Sequence, residues 1–204
     1  MAEKITDFFM AYNKPITIIL GVLCLILFYF AFRASSRHKK LYREEEAKIL
    51  RLKKLKETFE VLSEETIENA PESDLLEGVA LHYQLIIQKR EDIEKAFREL
   101  PLCARYVYTL DIFTSEGAVP SEFYKNNGNI LRELFVPALN AIGENKLSEV
   151  VMPISRMYDP DDESASIDIE ILKKADEKFA SLYNAEDFKI KAAEYIRSES
   201  ENIK

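Results

Sequence analysis

The chain has 204 residues and is acidic, with 28 Lys and Arg against 36 Asp and Glu and a formal net charge of −8. Five glycines leave little backbone for cradling phosphates, and an acidic surface repels nucleic acid; both argue against a phosphate-loop enzyme and a direct nucleic-acid binder. The two cysteines, Cys24 and Cys103, fall in different parts of the chain, so no disulfide is expected within a domain, in keeping with a reducing compartment.

Residues 1–14 form a short N-terminal segment with Lys4 and Lys14 as its only basic side chains. The run Pro15–Phe32 then carries no charge, and twelve of its eighteen residues are Leu, Ile, Val or Phe. As a helix rising about 1.5 Å per residue it would span roughly 27 Å, close to the roughly 30 Å hydrocarbon core of a bilayer. Tyr12 and Tyr29 lie near its ends, where amphipathic rings favour the interface. The segment 15–33 is therefore expected to be a single transmembrane helix. Arg33, Arg37, Lys39, Lys40 and Arg43 follow it at once, and the positive-inside rule places the C-terminal part in the cytoplasm.

Residues 34–72 read as a basic collar and a helical stalk. Lys39 to Leu62 contains no Gly or Pro and is rich in Lys, Glu, Leu and Arg. Leu52, Leu55, Phe59 and Leu62 repeat at 3-4-3 spacing, a seam that either packs on the following domain or gives weak homo-oligomerisation. Residues 1–44 sum to +4, leaving −12 for residues 45–204.

Residues 73–200 are expected to form an all-α globular domain. Asp74 and Glu77 have capping-box spacing. Apolar stripes follow over Leu76–Ile87, Ile93–Leu100 and Cys103–Phe113. A turn-rich loop comes next, from Glu116 to Asn129, with Gly117 and Asn126-Asn127-Gly128 as turn chemistry. Phe123 and Tyr124 should anchor it to the core. It is either a tight connection between helices or a recognition loop on a rigid scaffold, and its candidate binding residues are Glu116, Gly117, Glu122, Phe123, Tyr124, Asn126, Asn127 and Gly128. A helix over Leu131–Ile142 should stop at Gly143, with Pro137 kinking it or starting its second half. Asp159–Glu163 reads as an acidic surface loop, and two helices, on Leu172–Leu182 and Phe188–Ile196, complete the domain.

No catalytic constellation stands out. His82 has no second histidine or cysteine at ligand spacing, and Cys103 sits on an apolar stripe. No metal site and no cofactor is expected. The segments Leu110–Gly117, Ser121–Gly128, Ala138–Gly143 and Asp176–Tyr183 together resemble the DNA-mimic-protein-like domain family, over roughly residues 75–200. Ala118 stands where the family carries a second glycine, and Glu122 where it carries glutamine. The resemblance implies an all-helical interaction domain. The expected function is a non-catalytic, membrane-anchored module that binds the bilayer through Pro15–Phe32 and a protein partner through its cytosolic domain. The alternatives are an acidic mimic of nucleic acid, using Glu57–Glu77 and Asp159–Glu170, and an enzyme with a site at Glu116, Glu122, Asn126 and Asn127.

Overall fold

The computed structural model describes residues 42, 43, 45–158 and 167–203. The expected transmembrane run Pro15–Phe32, the basic collar before Tyr42 and the acidic loop Asp159–Glu163 lie outside the described residues. Among those described, no helix is long and apolar enough to cross a membrane, and there is no strand.

The chain divides into two units, Met1–Leu52 and Lys53–Lys204. In the first, residues 45–52 are helical and exposed, including Ile49 and Leu50. The second opens with helix α1 (residues 53–58). Helices α2 (Glu64–Asn69), α3 (Glu72–Ile87), α4 (Ile93–Arg98), α5 (Leu102–Ser115) and α6 (Pro120–Asn126) follow in order. The unit is completed by α7 (Asn129–Ala141), α8 (Asn145–Met157), α9 (Ile169–Leu182) and α10 (Ala185–Ser198).

Local chemistry explains most of the boundaries. Ser63, Asp92, Asp168 and Asn184 each accept a backbone N–H of the helix they precede. Helices α5 and α7 end in the same way. The N–H of Ala118 reaches Phe113 O and that of Gly117 reaches Thr114 O, and Glu144 and Gly143 repeat the pattern on Leu139 and Asn140. Gly117 and Gly143 supply the left-handed φ of 96° and 77° that this ending requires.

Three details differ from the sequence expectation. Helix α3 starts at Glu72 behind Pro71, which has no side-chain cap, so Asp74 and Glu77 do not form a capping box there. The expected loop after Gly117 contains α6, with Pro120 at its first turn. Its missing local cap comes from α9: Asp176 accepts the Ser121 N–H at 3.0 Å and the Ser121 hydroxyl. Helix α8, which the sequence reading passed over, is amphipathic, with Leu147, Val150, Val151 and Ile154 buried along one face.

The compact unit begins at Lys53, ahead of the boundary expected near Ser73. From the stalk seam, Leu55 and Phe59 are buried in the core, as is Ile67 of α2. Phe59 lies flat against α3: a Cβ on Gly78 would come within 2.2 Å of its ring. Its carbonyl pairs with His82 Nδ1 at 2.8 Å, which gives that histidine a structural role.

Helix α5 is the centre, packing against α3, α7 and α10, while α8 packs on α7 and α9, and α6 on α8 and α9. Phe113 is fully buried at the end of α5. Its ring meets Phe135 of α7 at 4.4 Å, Phe179 of α9 at 5.4 Å and Phe123 of α6 at 5.8 Å between centroids. Tyr183 and Phe188 close the cluster at 6.4 Å each.

Two variants check this packing. Phe113→Ala should lower the unfolding free energy by about 3–5 kcal/mol, read from urea unfolding. Gly78→Ala should displace the Phe59 ring and expose residues 53–62 to limited proteolysis, whereas Ala80→Gly, an equally small change on the same helix, should leave that segment protected.

Candidate functional site

The residues proposed from sequence separate into three groups. Phe123 and Tyr124 are fully buried. Tyr124 donates its hydroxyl to Arg132 O, and burial pushes that hydroxyl up to about 12. These two rings build the core and present nothing to a ligand. Glu116, Asn127 and Gly117 form a closed turn: Asn127 Nδ2 donates to Glu116 Oε2 at 2.8 Å and to Phe123 O at 2.9 Å. Glu122 is exposed beside Lys125 at 3.9 Å, and Asn126 is exposed at the end of α6. None of Glu116, Glu122, Asn126 and Asn127 lines the groove between α4 and α7, and among the described residues Asn127 is tied to Glu116 by its hydrogen bond. Gly128, which precedes α7, lines a cavity.

That cavity is an open groove of about 630 Å³. Ile93 and Phe97 of α4 form one wall, and Gly128, Ile130 and Leu131 at the start of α7 the other. Tyr108 of α5 and Ile87 of α3 form the floor. Phe97 and Tyr108 touch at 5.4 Å between ring centroids. Glu94, Arg98, Asn129 and Glu133 provide the polar rim. Glu94 and Arg98 are one turn apart on α4 and pair at 3.1 Å. Glu133 makes no ion pair among the described residues.

Helix α4 is six residues long, and Ile93 at its first position is 60 % exposed while Phe97 is buried. Sequence reasoning placed Ile93 and Phe97 on one apolar stripe as core. Burial of Phe97 agrees, and exposure of Ile93 is the signal that marks the groove.

Behind the floor lies a cluster that the sequence did not single out. Asp111 is one turn beyond Tyr108 on α5 and only partly accessible. Burial, and secondarily the Glu77 carboxylate of α3, push its carboxyl up to about 7, while Lys189 of α10 pulls it down. Burial and the Asp111 charge also raise the Tyr108 hydroxyl. Among the described residues, no group of three or more His, Cys, Asp or Glu is arranged to hold a metal ion.

Compared with known proteins, the chain matches no family model, no curated protein and no solved structure.

Asp111 gives the domain a specific pH dependence. Its folded value lies above the ordinary carboxylate range, so between about pH 4 and about pH 7 the folded state holds a proton that the unfolded state releases. This contribution is present at low pH, declines as pH rises through that window, and is gone above about 7. Relative to the wild type, Asp111→Asn should gain on the order of 3 kcal/mol between pH 4 and pH 8, reduced from the full linkage value for partial exposure. Urea unfolding of both proteins at several pH values measures it.

Proposed function

We propose that the chain is a non-catalytic binding module, tethered to a membrane by Pro15–Phe32, whose cytoplasmic domain takes apolar side chains of a partner protein in the groove between α4 and α7. The groove carries this reading. It is concave and of a size typical of binding clefts, its walls are apolar, and its polar groups sit on the rim, an arrangement that suits recognition better than chemistry.

The tether rests on the uncharged run 15–32 and the basic cluster Arg33–Arg43 behind it. The resemblance to the DNA-mimic-protein-like family supports an interaction domain. It is helped by one backbone detail: Ala118, where that family carries glycine, has a left-handed φ of 58°. We prefer the binding-module reading to the acidic mimic on the acids that are described. Within Glu57–Glu77, Glu57 lies 4.0 Å from Lys53 and Glu72 is paired to Arg197 at 3.2 Å, so the acids do not form a uniform row of free charges. We prefer the binding-module reading to the enzyme reading because none of Glu116, Glu122, Asn126 and Asn127 lines the groove.

Two measurements test the proposal. Full-length protein should resist alkaline carbonate extraction from membranes, and deletion of residues 15–32 should release it; release of the intact chain would remove the tether. A photo-crosslinking residue at position 93 or 130 should capture a discrete partner in native membranes, and one at the exposed position 173 should not. Identical products from all three positions would end the groove reading.

A further inference from the structure

We propose that the groove's partner is an amphipathic helix with a basic polar face, its apolar side chains set on Ile93, Phe97 and Tyr108 and a lysine or arginine against Glu133. This rests on the reading of the groove as a protein-binding cleft.

Shape supports a helix. The walls are α4 and the first turn of α7, with α5 beneath, so the cleft is a trough between helices. Its volume of about 630 Å³ accommodates several side chains along its length, as a helix presenting anchors at i, i+3, i+4 and i+7 requires. Ile93, 60 % exposed on the wall, supplies apolar surface that an anchor side chain would cover.

Charge selects the polar face. Glu94 and Arg98 satisfy each other across one turn at 3.1 Å. Glu133 is exposed and makes no ion pair among the described residues, so the rim holds one net negative charge. Residues 45–204 together carry −12. A basic helix is therefore steered toward this domain, and an acidic one is repelled.

The test uses full-length protein in phosphatidylcholine nanodiscs and two synthetic helical peptides. The peptides share one leucine pattern and a single Trp; one carries lysine on its polar face, the other glutamate. The chain contains no Trp, so peptide emission reports binding directly, with empty nanodiscs as the blank. The lysine peptide should bind saturably and at least tenfold more tightly than the glutamate peptide. Ile93→Asp, at an exposed position, should weaken it at least tenfold with circular dichroism unchanged. Glu133→Lys should weaken the lysine peptide and strengthen the glutamate peptide. Hydrogen exchange should show protection at 93–98 and 129–133.

Equal binding of both peptides, no saturable binding, or binding indifferent to Ile93→Asp would overturn the proposal. Ile93-dependent self-association would assign the groove to a second copy, and protection of the same segments by an apolar dye without peptide binding would assign it to a small ligand; either also overturns it. If crosslinks at positions 93 and 130 persist while the lysine peptide fails to bind, the partner's chemistry is wrong and the binding-module reading stands.

Discussion

The fold depends on where the Phe113 ring lies. It sits on the last turns of α5, just before the chain reverses through Gly117, and it is touched by aromatic rings from α6, α7, α9, α10 and the turn between the last two. Aromatic pairs at these separations add about 0.5–1.5 kcal/mol each beyond the area they bury. Segments more than seventy residues apart in the chain thus meet at one side chain. Central placement of α5 is a consequence of this, since the helix that carries the hub must be reached from several sides.

The same constraint shapes the region that looked most like a recognition loop. Phe123 and Tyr124 are drawn inward to Phe113 and Phe135, which forces the intervening chain into the short helix α6. The seven-residue α6 has no capping side chain of its own, and Asp176 supplies one from α9. On the far side of the turn, Gly128 lines the groove. Tyr108, about one and a half turns before Phe113, forms its floor, and Asp111 between them is left in surroundings that favour its neutral form.

Most helices could be read from the sequence because their apolar periodicity and end signals agree. The stripe Cys103–Phe113 followed by Gly117, and Leu131–Ile142 followed by Gly143, each became a helix ending on that glycine. The misses have physical reasons. Helix α8 was passed over although Leu147, Val150, Val151 and Ile154 have helical spacing and the helix continues through Pro153. The capping box at Asp74 failed because Pro71 had already set the start of α3. In the candidate site, Gly128 was the single sequence-selected residue to reach the cavity. Its other walls come from segments far apart in sequence, and local patterns carry no record of which stripes end up facing one another.

The sequence by itself determined that the described chain would be helical, where its apolar faces run, and that a charge-free run of membrane-spanning length precedes an acidic domain. These are properties of neighbouring residues: periodicity, caps, breakers and charge. Only the tertiary structure decided that Phe59 belongs to the core, that Ile93 does not, and that Asp111 lies near Glu77 and Lys189. Those outcomes follow from which helices pack together, and burial and proton affinity are set by neighbours distant in the chain.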